Sequence, residues 1–133
     1  MPSSSAKAVF TAEAPAPSPL MPQAVVQNGM VYCSGSLGID PATNDFVKGT
    51  FQDRVRQSLA NLEKVLMAAN SNLKNVVKVN IFITSPQLFA PLNEVYAEVF
   101  NQEVKPCRSC VVVAALGLDA DVEIECTAFV GGT

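Results

Sequence analysis

The last strand-like segment constrains the architecture most. From residue 122 onward Val122, Ile124, Cys126, Ala128 and Val130 alternate with Glu123, Glu125, Thr127 and Phe129. A period of two sends these sets to opposite faces of a sheet, so one face is aliphatic and the other carries two carboxylates. With helices on the aliphatic face, the second face meets either water or another subunit. Composition bears on that choice: charged residues are 16% of the 133 and hydrophobic ones 49%, where about a quarter charged is usual for a soluble domain. So thin a polar coat points to subunit contacts.

The rest of the chain reads as strands and helices that complete such a layer. Ala24-Val25-Val26-Gln27 and Met30-Val31-Tyr32-Cys33-Ser34 flank Asn28-Gly29, a pair suited to the positive φ angles of a tight hairpin. Asp40-Pro41-Ala42-Thr43-Asn44-Asp45 is a turn by composition. Thr50 with Asp53 three residues on predicts a helix N-terminus, and Phe51, Val55, Leu59, Leu62, Leu66 and Ala69 form its buried stripe, with Asn70 as a stop. Residues 76–83 read as a strand whose aliphatic Val77, Val79, Ile81 and Ile83 face the helices. Ser85-Pro86 opens a second helix with Leu88, Phe89, Leu92, Val95, Tyr96, Val99 and Phe100 as its stripe. Residues 109–115 are almost wholly apolar, as suits a strand buried on both faces. The expectation is an α+β sandwich, one mixed sheet of about five or six strands with two helices on one face.

Residues 1–16 are expected to be a flexible N-terminal arm and 17–133 a single domain, because the Pro-rich run at 14–19 favours extended backbone. Residues 1–23 show neither a hydrophobic signal core nor an Arg-rich face. No apolar stretch approaches the roughly eighteen residues of a membrane span. A cytoplasmic location is expected, with mitochondrial import left open, and the four Cys are expected as reduced thiols.

The chain has no His, which removes Ser-His-Asp and Cys-His nucleophile systems, His-ligated catalytic zinc and an imidazole base. Catalysis must then use carboxylates, Arg, Lys, Cys, hydroxyls or backbone groups. A formal charge of −3 gives no bulk attraction for nucleic acid or anionic membrane.

Arg108 lies between Lys105-Pro106 and the most apolar run. There it either grips a carboxylate through two parallel hydrogen bonds or makes a structural salt bridge, for instance to Glu123. Cys107-Arg108-Ser109-Cys110 has C-x-x-C spacing, but thioredoxin-type pairs sit at a helix N-terminus and a Val-rich strand follows here. Zinc would need further soft ligands, and Cys33 and Cys126 sit in isolated strands. Arg108 beside either Cys could still favour a reactive thiolate. Ser34-Gly35 ends a strand where a hydroxyl and amides can meet a ligand. Gly35-Ser36-Leu37-Gly38 lacks the endings of a P-loop or dinucleotide fold.

Together these stretches resemble the reactive-intermediate deaminase family, also called the RidA or YjgF-type family, and the chain looks like a fungal-type member. The resemblance is carried by Tyr32-Cys33-Ser34-Gly35, Asp40-Pro41, Gln57-Ser58-Leu59-Ala60-Asn61-Leu62 and Val76-Val77-Lys78-Val79, followed by Asn93-Glu94-Val95-Tyr96, Pro106-Cys107-Arg108-Ser109-Cys110 and Val122-Glu123-Ile124-Glu125. It spans about residues 17–129. It implies a chorismate-mutase-like two-layer sandwich, a homotrimer with inward-facing sheets and clefts between subunits. The implied chemistry is cofactor-free and metal-free hydrolysis of 2-enamine and 2-imine products of pyridoxal-phosphate enzymes to 2-keto acids and ammonia. By resemblance, Arg108 binds the substrate carboxylate, Glu123 positions or deprotonates water, Ser34 and Cys110 line the pocket, and Asn93 lies nearby. Met21 falls where deaminating members carry Tyr, Ser36 where they carry Gln, Cys107 where a small residue precedes the Arg, and Gly117 where Pro usually follows Leu116. The missing phenol is expected to narrow activity or change the substrate. Two other outcomes are a non-catalytic, small-carboxylate-binding or chaperone-like trimer and the single-strand endoribonuclease activity of some relatives; the charge balance speaks against RNA.

Overall fold

The computed structural model describes residues 5–131. Eight strands and two helices follow in the order β1 (Lys7–Val9), β2 (Ala24–Gln27), β3 (Met30–Cys33), β4 (Ile39–Asp40), β5 (Asp45–Phe46), α1 (Phe51–Ala68), β6 (Val76–Ile83), α2 (Phe89–Val99), β7 (Cys107–Val112) and β8 (Val122–Phe129). Six form one sheet in the order β1-β2-β3-β8-β6-β7, and β4 and β5 make a small separate hairpin. Only β6 and β7 pair in parallel; the other neighbours in the main sheet are antiparallel. Both helices lie on one face, giving the expected two layers.

Local chemistry explains the elements. Asn28 and Gly29 take φ of 52° and 76°, the left-handed pair that closes the β2–β3 hairpin with matching twist. Thr50 and Asp53 form a reciprocal capping box at the start of α1, satisfying two otherwise orphaned amides. The chain leaves α1 through Asn70 at φ 64°. On β8, Val122, Ile124, Cys126 and Ala128 are buried against the helices, meeting Leu59, Leu62 and Leu66 of α1 and Leu92 and Val95 of α2 in one core.

Three expectations need correction. Residues 109–115 are not buried on both faces: β7 is the outer strand, with Val111 and Val112 47% and 42% exposed. Among the described residues, one side of β7 pairs with β6, nothing pairs with the other, and the sheet's second face has no layer over it. Val77 does not face the core, because a register shift between Val76 and Lys78 puts Val76 inward and leaves Val77 exposed; such a bulge resets the alternation. The segment expected to be an arm contributes β1, paired to β2 at Lys7↔Val26 and Val9↔Ala24. The buried Gln23 side chain donates to the carbonyls of Thr11 and Pro15 and accepts from the Thr11 amide, and Ala14 packs in the core.

Candidate active site

The strand register places the two charged candidates on opposite faces of the sheet. Arg108 pairs with Val79, which is buried toward the helices, whereas Glu123 pairs with Phe82 on the other face. Arg108 therefore reaches α2: its Nη2 donates to Asn93 Oδ1 at 2.6 Å, and its guanidinium carbon lies 4.6 Å from the centre of the Tyr96 ring. A structural salt bridge to Glu123 is not formed, and among the described residues no carboxylate pairs with Arg108. Cys110, two residues on and on the same face, packs against the core. Burial raises its thiol pKa and Arg108 pulls it the other way, so the thiol form prevails over a reactive thiolate. Cys107 and Cys110 differ by an odd number of strand positions and face opposite ways. That separates the C-x-x-C pair, and no cluster of metal-ligating side chains occurs among the described residues.

The second group gathers where β3 ends against the start of β8. Ser36 and Ile124 exchange backbone hydrogen bonds at 2.7 and 3.0 Å, carrying the chain past the end of β3. Ser36 and Ser58 each donate a hydroxyl to the other's carbonyl at 2.8 Å, and Asn61 donates to the carbonyls of Leu37 and Ile39. These buried polar residues of α1 pin the segment that follows Ser34. Ser34 Oγ donates to the Pro22 carbonyl at 2.7 Å, and its lone pairs stay free to accept. Gly35 lies against Glu123: a Cβ on residue 35 would come within 2.7 Å of Glu123 Cδ, so only glycine leaves the carboxyl its place. Burial first and the neighbouring Glu125 second raise the Glu123 pKa. Glu125 itself accepts from Asn80 at 3.1 Å on the same face.

Met21 is 51% exposed in the loop before β2. With Ser34, Gly35, Leu62, Val65 and Leu118 it lines a mostly apolar cavity of about 230 Å³ that none of Arg108, Asn93, Cys110 or Glu123 lines. The structure thus gathers Arg108, Asn93 and Cys110 in one place and Ser34 and Met21 around another, with Glu123 beside Gly35 on the sheet's other face, and a single chain does not join Arg108 to Glu123. Sequence reasoning missed Tyr96 as a partner of Arg108 by counting it in the apolar stripe. Its spacing of three from Asn93 was the available signal, since such residues share a helix face.

A family model described as endoribonuclease L-PSP matches residues 11–130. The chain belongs to this family, the RidA or YjgF family. It is 44% identical over 125 residues to the RutC family protein UK114 of Drosophila melanogaster, covering 94% of this chain and 90% of that one. Against the RutC family protein PH0854 of Pyrococcus horikoshii it is 40% identical over 121 residues, covering 91% and 95%. Among solved structures, yeast Mmf1 superposes with a TM-score of 0.91 at 38% identity, covering 95% of this chain and 99% of that one. The E. coli TdcF structure with bound serine gives 0.87 at 36%, covering 92% and 98%. Similarity of this order to an insect, an archaeon, a yeast and a bacterium establishes the family without singling out a fungal-type group. Membership ties the chain, at the level of the family, to deaminase-type hydrolase chemistry. Among the described residues no helix is long and apolar enough to cross a membrane.

Proposed function

We propose that the chain is a cofactor-independent deaminase that hydrolyses reactive 2-imine and 2-enamine acids to 2-keto acids and ammonia, in clefts between the subunits of a homotrimer. The observation that carries this reading is the company Arg108 keeps. A carboxylate neighbour would use up its charge; Asn93 Oδ1 and the Tyr96 ring hold it instead, leaving the cation for a carboxylate from outside the chain. Binding of serine by TdcF fits a site that grips a small acid.

Because Arg108 and Glu123 lie on opposite faces, a site using both takes Arg108, Asn93 and Cys110 from one copy and Glu123, Ser34 and Met21 from its neighbour. The exposed apolar residues Val111, Tyr32 and Phe129 supply surface for that contact. With the carboxylate on Arg108, an ionised Glu123 accepts a proton as water adds to the electrophilic iminium carbon. It returns that proton to nitrogen; as the C–N bond breaks, the carbinolamine hydroxyl gives its proton to the Glu123 carboxylate and becomes the carbonyl, and the departing ammonia takes that proton up as ammonium. Met21 offers no phenol at the cleft, which favours a narrower substrate range than members with Tyr in that slot.

A fungal-type grouping draws on the yeast relatives, and the alternative of a mitochondrial in place of a cytoplasmic location on a yeast relative named mitochondrial. Ammonia release from 2-aminoacrylate generated in situ tests the activity. The wild type accelerates it, and Arg108→Ala loses about two orders of magnitude in kcat/KM. Equal acceleration by both proteins overturns the role of Arg108, whereas tight 2-ketobutyrate binding without turnover identifies a carboxylate-binding module.

A further inference from the structure

An arginine that must grip a carboxylate with two hydrogen bonds gains from being held in one plane beforehand, since less side-chain freedom is then lost on binding. In this chain the holding is done by α2. Asn93 and Tyr96 sit three residues apart on it, hence on one face. Asn93 Oδ1 takes a hydrogen bond from Nη2 at 2.6 Å, and the guanidinium carbon lies over the Tyr96 ring, 4.6 Å from its centroid. The ring is fixed in turn by Phe100, with centroids 4.7 Å apart and planes tilted by 40°, and Phe100 is only 1% exposed. The Tyr96 hydroxyl is buried and has no hydrogen-bond partner among the described residues. A buried hydroxyl without a partner is normally selected against, so the hydroxyl does not explain the residue. The ring does.

We infer that Tyr96 and Asn93 are positioning residues for the carboxylate grip: the Tyr96 ring sets the plane of the Arg108 guanidinium, and Asn93 sets its rotation within that plane. This rests on the reading of Arg108 as the group that binds the substrate carboxylate. It gives Asn93 a role in orienting the arginine in place of direct substrate contact, and it makes the effect specific to charged ligands.

Two measurements test it. In the ligand-free wild type, NMR of the arginine side chains shows the Arg108 Nε proton moved upfield by the Tyr96 ring current, a shift kept in Tyr96→Phe and lost in Tyr96→Leu. In calorimetric titrations, Tyr96→Leu weakens binding of 2-ketobutyrate about tenfold and Asn93→Ala weakens it severalfold, while Tyr96→Phe restores wild-type affinity to within about twofold. The primary amide of the same keto acid, lacking the charge, binds equally to all four proteins. The inference is overturned by an unshifted Arg108 proton, by Tyr96→Phe losing as much as Tyr96→Leu, or by equal losses for acid and amide. If Arg108→Ala binds 2-ketobutyrate as tightly as the wild type while the ring-current shift is present, the reading of Arg108 as the grip fails, and the functional part of the inference fails with it.

Discussion

The two ends of the candidate site are built in opposite ways. Arg108 stands on the outermost strand, one sheet pairing from open solvent, and is held by side chains alone: an amide oxygen and an aromatic ring from α2. Glu123 stands on an interior strand, seated over Gly35, whose chain segment is clamped by backbone bonds to Ile124 and by buried Ser58 and Asn61. The cationic end is thus set by side-chain contacts and the anionic end by a clamped backbone. Among the described residues, no opposite charge forms an ion pair with either. On the proposed reading, the two are brought together from two copies and complement one another.

The largest expected break in this contrast is at the Glu123 end. Gly35→Ala drives a methyl into the Glu123 carboxyl; it lowers kcat about a hundredfold and leaves 2-ketobutyrate affinity, which depends on Arg108, nearly intact. Steady-state kinetics beside calorimetry measure both. Gly117→Ala, where nothing lies within 4 Å of an added methyl, leaves both values as they are. A loss of affinity in Gly35→Ala as large as the loss of rate would show that the two ends do not work separately.

A smaller effect sharpens the electrostatics. Burial and Glu125 hold the Glu123 pKa above the ordinary 4.5. If the ionised form accepts the proton from water, kcat/KM falls as pH drops through that raised value. Glu125→Gln removes the like charge and moves this acid limb to lower pH. The stability sign is opposite: between 4.5 and the raised value the folded chain binds more protons than the unfolded one, so this residue's contribution to stability declines as pH rises through the window. A pH–rate profile that does not move in Glu125→Gln removes Glu125 from the electrostatics of Glu123.

Much of the fold is legible in the sequence where the signal is local. The Thr50–Asp53 box, the Asn28-Gly29 hairpin and the Glu-x-Glu alternation of β8 each declare themselves within a few residues, because capping, turn handedness and strand parity are short-range effects. Features set by distant pairing are not. Residues 109–115 look like an interior strand because they are almost wholly apolar, although β7 lies at the sheet edge with Val111 and Val112 exposed. Val77 looks inward-facing because a bulge cannot be seen in alternation alone. Lys7–Val9 looks like an arm because three residues carry too little pattern to announce an edge strand. For the site, the residue types of Arg108 and Glu123 are readable, but their faces depend on which strands pair and in what register. The alternative of a salt bridge between them fails on that point, and Tyr96 hides among apolar neighbours until the strand beside it is known.

The central claim is that one functional site takes its cation from one copy and its carboxylate from another. Co-assembling inactive Arg108→Ala and inactive Glu123→Ala chains by joint refolding at equal amounts tests it directly. In a cyclic trimer each interface has a one-in-four chance of joining an intact Arg108 to an intact Glu123, so deaminase activity returns to about a quarter of the wild-type value. Activity that stays at the level of the separate variants, in a sample whose mass shows mixed trimers, contradicts the account.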